Sequence, residues 1–231
     1  MFQAFDKISI ISLPHRTDRR KEMREQLRKV GLQGDPRVEF FDAVRPADPG
    51  RFANIGANGC YSSHLEILKA NRGKPILILE DDCDFSPDAA AYPMPGDFDV
   101  FYGGYLWASE PDDLLTSRVI VGSHCMGLSA RASALAADYL DGLVKGELPP
   151  DPIAAADPGF TPGKLAPIDG SYVWFRRAHP ELKTVFAEPQ IAFQRPSRTD
   201  IGDQKLYDRL PVIRSIAELG RRLKGRKASR A

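Results

Sequence analysis

Glu80, Asp81, Asp82 and Asp84 place four carboxylates within five positions, directly after the apolar run Ile76-Leu77-Ile78-Leu79. Carboxylates this close raise one another's pKa unless a counter-charge is shared among them. A hard divalent cation supplies that charge, and carboxylate oxygens without a nearby Cys/His pair suit Mg²⁺ or Mn²⁺ over Zn²⁺. The competing reading is a solvated acidic turn leading into a helix, with Ser86, Pro87 and Asp88 as N-cap, first-turn proline and first-turn acid. A second candidate set is Arg16, Arg19 and Arg20 at a helix start, where guanidinium forks and backbone N–H groups suit phosphate; solvated surface charge is the alternative. Asp169 is either a general base or acceptor-positioning carboxylate, or the N-cap of a helix starting at Gly170.

The elements that position these groups follow from periodicity. A short continuous Ile/Leu run opened by Pro75 fits a strand buried on both faces, so the acids sit at its carboxyl end, the end that faces the ligand crevice in open α/β sheets. Residues 8–13 form a first buried strand closed by Pro14. Thr17 or Asp18 caps a helix to Val30 whose Met23, Leu27 and Val30 share one face, and Gly31 stops it. Residues 38–43 give a second strand, residues 45–59 a rim loop, and Asn58 the cap of a helix over 59–70 packed through Tyr61, Leu65 and Leu68. Ser62 and Ser63 lie beside His64, but neighbouring helix positions point apart, so a buried, hydrogen-bonded His64 is expected over a catalytic pair.

Further along, 98–102 reads as a strand ending in Gly103-Gly104, where the backbone can approach a ligand; Tyr105 and Trp107 either stack on a sugar or base or pack beneath a loop. Glu110 to Asp113 is a polar loop. Residues 119–128 form a strand and loop in which His124 is either a metal or phosphate ligand or, more often for such a residue, structural, followed by an Ala/Leu-rich helix over 131–143. Residues 146–164 are Pro/Gly-rich, an irregular surface loop and candidate acceptor lid. Residues 171–175 are an aromatic stretch that must be buried, 185–187 and 191–193 close the sheet, and Gln194, Ser197 and Asp200 fall in a polar loop over the donor. In the tail, Val212, Ile213, Ile216, Leu219 and Leu223 share a helical face among many Arg and Lys, giving a basic helix that rests on anionic lipid or docks on the domain.

At 231 residues, with 32 basic and 31 acidic side chains, the chain is one α/β domain with extensions and has no global electrostatic footprint for nucleic acid. Three widely spaced cysteines support neither a disulfide framework nor a zinc knuckle, and fit a reducing compartment. With no membrane-length apolar run and no signal-peptide core, a cytoplasmic location is expected, with peripheral contact at the inner face of a membrane through 212–231. No Gly-x-x-x-x-Gly-Lys-Ser/Thr loop favours another magnesium-dependent phosphoryl enzyme.

Ile10, Ser12 and Leu13 with Asp18-Arg19-Arg20, then Gly59-Cys60-Tyr61-Ser62-Ser63-His64-Leu65, Leu79-Glu80-Asp81-Asp82, 122–129, Pro167-Ile168-Asp169 and 197–201, in that order, resemble glycosyltransferase family 25 over about residues 8 to 201. That family holds lipooligosaccharide and collagen galactosyltransferases. The resemblance implies a GT-A-like, Rossmann-like fold: a mixed, mostly parallel sheet flanked by helices in a single domain over 1–205, with a basic tail over 206–231. It implies an inverting, metal-dependent hexosyltransferase that moves a sugar, galactose in the family, from a UDP-sugar to a saccharide or glycolipid acceptor of a surface glycan such as lipopolysaccharide. The acidic triplet is then equivalent to a DxD motif, and Asp84 adds a second literal one. The metal ligands, in order, are Asp82, then Asp84 and Glu80. The donor is held by Ser12, Leu13, Arg16, Arg19, Gly104 and Asp81, the last at the ribose, and Asp169 serves catalysis. The alternative function is a non-catalytic nucleotide-sugar or saccharide-binding module on the same fold.

Overall fold

Two β-loop-α units open the chain: β1 (Lys7–Ser12), α1 (Thr17–Lys29), β2 (Val38–Asp42), α2 (Ile55–Ala70), then β3 (Ile76–Glu80). The structure is a computed structural model that describes residues 1–107 and 119–195, all within the unit Met1–Arg198. It continues through β4 (Cys83–Phe85), β5 (Val100–Tyr102), β6 (Leu106–Trp107), β7 (Ile120–Val121), β8 (Cys125–Leu128), α3 (Ala130–Lys145), α4 (Pro152–Ala155), α5 (Ile168–Ala178), β9 (Thr184–Phe186) and β10 (Ala192–Gln194). The polar loop at 110–113, Ser197, Asp200 and the basic tail lie outside the described residues, as does the side chain of Trp107.

The main sheet has the order β2-β1-β3-β8-β5-β9. β1 runs parallel to β2 and β3, β5 parallel to β9, and β8 alone runs against its neighbours. This is the expected mixed, mostly parallel α/β sheet. The step from β1 to β2 goes one way across the sheet and the step from β2 to β3 returns past β1. Right-handed crossovers therefore put α1 and α2 on opposite faces.

Alternation along the strands divides the interior accordingly. Ile76 and Ile78 pack with Tyr61, Leu65 and Leu68 of α2 and with α3 and α5. Leu77 and Leu79 pack on the other face with Ile8, Ile10 and with Met23 and Leu27 of α1. Burying each such side chain contributes about 1.5–3 kcal/mol, which is why a run with no polar alternation is stable only between two helical layers.

Several boundaries differ from the sequence expectations. α1 is preceded by Arg16 with no side-chain cap; Asp18 instead accepts from Arg16 Nε at 3.0 Å. α2 starts a turn earlier than expected, capped by Asn54, whose side chain accepts from Ala57 N at 2.8 Å. Gly59 inside it is a tertiary requirement, because a Cβ there would sit 2.7 Å from the Val44 carbonyl. No α-helix follows Ser86-Pro87-Asp88: Cys83–Phe85 pairs with β10 and a single 3-10 turn, Ala89–Ala91, comes after it. The Pro/Gly-rich stretch is irregular apart from α4, and its Asp151 is buried against Arg177 at 2.9 Å, which anchors that loop to α5.

Candidate active site

β1 leads toward β2 on one side, whereas the chain leaving β3 goes to the other, so their carboxyl ends form a topological switch point, the place where open α/β sheets bind ligands. The register pairs Ile11 with Glu80, which sets Ser12 beside Asp81. Ser12 Oγ donates to Asp81 Oδ2 at 2.7 Å and Arg19 Nη1 donates to Asp81 Oδ1 at 2.8 Å, with Asp81 only 6% exposed. Arg20 donates to the Ser12 carbonyl at 3.0 Å and pairs with Asp42. The arginines thus fasten the β1 turn to the acidic edge, Arg19 directly. Arg16 pairs with Asp18, and the Leu13 carbonyl closes that turn by accepting from Arg16 N at 3.0 Å.

The four clustered acids have different surroundings. Asp82 is 5% exposed; its Oδ2 accepts weakly from Gln194 Nε2 at 3.4 Å, and its Oδ1 is buried with no hydrogen-bond partner. Burial raises its pKa, while the Arg19 charge works in the opposite direction. Glu80 accepts from Ser123 Oγ at 2.6 Å. Burial pushes the Glu80 carboxyl up to about 8, with the Asp82 charge adding to the rise and the Ser123 hydroxyl opposing it. Asp84 is turned to Arg195, whose Nε lies 3.2 Å from both carboxylate oxygens and whose other arm reaches Glu22. Glu80 and Asp82 lie near enough for the Asp82 charge to act on Glu80, Asp81 is turned to Ser12 and Arg19, and Asp84 has its own counter-ion, so among the described residues the four carboxylates do not gather within metal-ligand reach of one another. The buried, unpartnered Asp82 Oδ1, with the Glu80 carboxyl near it, is a hard oxygen donor of the kind magnesium or manganese takes.

Asp169 lies in the first turn of α5, which begins at Ile168, so it does not cap a helix from Gly170. Its Oδ2 accepts from Gly122 N at 3.1 Å, and its charge acts on Glu80, His124 and Cys60. Gly104 has a packing reason to be glycine: a Cβ would meet the Ala192 carbonyl at 2.2 Å and His124 Nε2 at 2.3 Å. His124 is buried, and burial lowers its pKa. Tyr105 packs edge-on against Phe186 with ring centroids 5.0 Å apart and donates to the Ala187 carbonyl at 3.3 Å, so it does not offer a stacking platform.

His64 is fully buried with Nδ1 3.1 Å from the Tyr172 hydroxyl, as a hydrogen-bonded histidine should be, and neither neighbouring serine pairs with it. Ser62 Oγ donates to Asn58 and Ser63 Oγ to the Gly59 carbonyl. One expectation is corrected: the acids are not without Cys and His nearby, since Cys60, His64 and Glu80 bring ligand atoms within 4.8 Å of one another. Sequence reasoning gave no role to Ser123, which it met only within the 122–129 resemblance, or to Arg195. Their only signals were adjacency to His124 and Gln194, because their partners are 43 and 111 positions away.

Among the described residues, no helix is long and apolar enough to cross a membrane. No family model matches the chain. A stretch of 100 residues is 34% identical to "Putative glycosyltransferase R655" of Acanthamoeba polyphaga mimivirus, covering 36% of this chain and 30% of that protein's length. Among solved structures, a glycosyltransferase involved in glycosylation of the major capsid of PBCV-1 superposes with a TM-score of 0.42 at 14% identity, over 79% of this chain and 82% of that one. The CTP:phosphocholine cytidylyltransferase of Streptococcus pneumoniae superposes at 0.40 with 9% identity, over 81% and 92%. Both superpositions are too loose to carry a functional argument, and the chain spans about a third of the length of the viral relative it matches in sequence.

Proposed function

We propose that this chain is a glycosyltransferase of the GT-A type that moves a sugar, galactose by the family resemblance, from a uridine diphosphate donor to a saccharide or glycolipid hydroxyl with inversion. The observation that carries this reading is the buried, unpartnered Asp82 Oδ1 beside Glu80 and the Ser12–Asp81–Arg19 network, at the switch point of the sheet. The viral relative, itself named as a glycosyltransferase, supports the same class.

In this reading Arg19, with Arg16 behind it, faces the diphosphate, and Asp81, held by Ser12 at the tip of β1, meets the ribose while the backbone at Leu13 and Gly104 lines the crevice. Asp82 and Glu80 would hold a divalent cation, Mn²⁺ or Mg²⁺. Asp84 joins them only by leaving Arg195. A cation bound there supplies positive charge against the departing diphosphate. Asp169 is fixed through Oδ2 by the Gly122 N–H, which leaves Oδ1 to take the proton of the attacking hydroxyl. We assign residues 1–205 to the catalytic domain and 206–231 to a basic tail that holds it at an anionic inner-membrane face, where glycolipid acceptors reside.

A screen of nucleotide sugars with and without Mn²⁺ tests the reading. Sugar release or transfer from a UDP-sugar should need the cation and fall by at least about 100-fold in Asp82→Asn, since such a substitution removes an electrostatic contribution to the transition state. Turnover that ignores both EDTA and Asp82→Asn sinks the metal assignment. Donor binding without turnover under every condition points to the binding-module alternative.

A further inference from the structure

A second group of potential ligands lies one helical turn into α2, outside the roles assigned above except for Glu80. Cys60 and His64 are four residues apart and share a helix face, and Glu80 reaches them from the end of β3. The candidate donor atoms of the three side chains all lie within 4.8 Å of one another, and His64 Nε2 is 3.9 Å from Glu80 Oε1. A tetrahedral zinc ion with N and O ligands at about 2.0–2.2 Å sets them about 3.4 Å apart, and a sulfur ligand at about 2.3 Å lies about 3.6 Å from either, so closing the site requires a contraction of about half an ångström between His64 and Glu80 and of up to about an ångström at Cys60.

An independent observation points to a ligand. His64 is 0% exposed, yet its Nε2 has no hydrogen-bond partner, in an interior where such groups are ordinarily satisfied. Its other nitrogen lies 3.1 Å from the Tyr172 hydroxyl of α5. When Nδ1 donates there, Nε2 presents its lone pair toward Glu80, the arrangement in which an outer partner orients a metal-binding imidazole. Cys60 is half-buried, and its thiol sulfur adds a soft donor.

We infer that Cys60, His64 and Glu80 form a binding site for a borderline-soft divalent cation, zinc or its surrogate cobalt, distinct in ligand type from the hard-oxygen edge at Asp82. Three protein ligands leave a fourth tetrahedral position, as in zinc sites that bind water or substrate. This inference does not depend on the transfer reading. A protein with no transferase activity would still bind the ion here.

The full chain, stripped with a chelator and reduced with a phosphine, is titrated with Co²⁺ and followed by absorption. We expect a thiolate-to-cobalt charge-transfer band saturating at about one ion per chain, absent in Cys60→Ser, retained in Asp82→Asn, and about 10- to 100-fold weaker in affinity in Tyr172→Phe, which removes the orienting partner. Circular dichroism confirms that each variant is folded. A reading independent of substitution comes from the wild type: Cys83 and Cys125 are buried and Cys60 is the least buried of the three thiols, so Zn²⁺ should slow the reaction of the first thiol to be modified by a small disulfide reagent at alkaline pH. No charge-transfer band, a band that survives Cys60→Ser, or thiol reactivity indifferent to Zn²⁺ overturns the inference. Loss of donor turnover in Asp82→Asn with the cobalt band intact separates this site from the proposed transfer site.

Discussion

Replacing Glu80 by Gln removes a carboxyl that burial keeps protonated in the fold and leaves an oxygen to accept from Ser123. In the folded chain the Glu80 carboxyl titrates at about 8 against an ordinary 4.5. The native state therefore keeps this proton where the unfolded state has lost it, and stability falls as pH rises from 4.5 to 8. His64 has the opposite sign. Burial lowers it to about 3 from 6.5, so the unfolded state binds the extra proton and stability rises with pH over that interval. His124 is shifted in the same direction as His64. Below pH 6.5 these slopes offset that of Glu80, which makes 6.5 to 8 the informative window. Over 1.5 pH units at 1.36 kcal/mol per unit, Glu80 contributes a loss of about 2 kcal/mol. The Met1 amine, lowered by partial burial, also titrates near this window, but it is common to both proteins and cancels in their difference. Urea unfolding in EDTA, monitored by tryptophan fluorescence, should show wild type losing about 2 kcal/mol more than Glu80→Gln between pH 6.5 and 8. Parallel stability curves for the two proteins would refute the claim that burial holds the Glu80 carboxyl in its protonated form.

Asp169→Asn keeps an oxygen to accept from Gly122 N and removes the basic site, so turnover should fall about 10²- to 10⁴-fold with donor affinity nearly unchanged, measured by steady-state kinetics and calorimetry. Equal loss of binding and turnover would assign Asp169 to positioning instead. Gly59→Ala drives a methyl against the Val44 carbonyl and should lower stability by about 1–3 kcal/mol in a thermal melt, even though alanine is the better helix former. An unchanged or raised Tm would show that the loop can give way.

The local pattern of this chain was enough to identify its layers. A short apolar run with no polar alternation at 76–79, opened by Pro75, fits a strand covered on both faces, and Met23, Leu27 and Val30 mark a single buried helix face. That an acidic cluster follows such a strand, hence sits at the carboxyl edge of the sheet, was equally readable. Helix starts were not, because Asn54 and Asn58 are both good caps and Gly56 and Gly59 weaken the helical signal between them; the fit of Gly59 against Val44 requires the fold to be known. Nor was the fate of each carboxylate. Asp81, Asp82 and Asp84 are chemically alike and adjacent, yet Arg19, a buried orphan position and Arg195 give them different charge environments. Those partners arrive from 62 and 111 positions away. Cys60 and His64 meet Glu80 in the same manner, across a helix–sheet contact. Sequence by itself determined the periodic burial and the charge density, which are properties of neighbouring residues. Only the tertiary structure decided which charges are paired, because a side chain's partner and dielectric surroundings depend on chain crossings that no local spacing encodes.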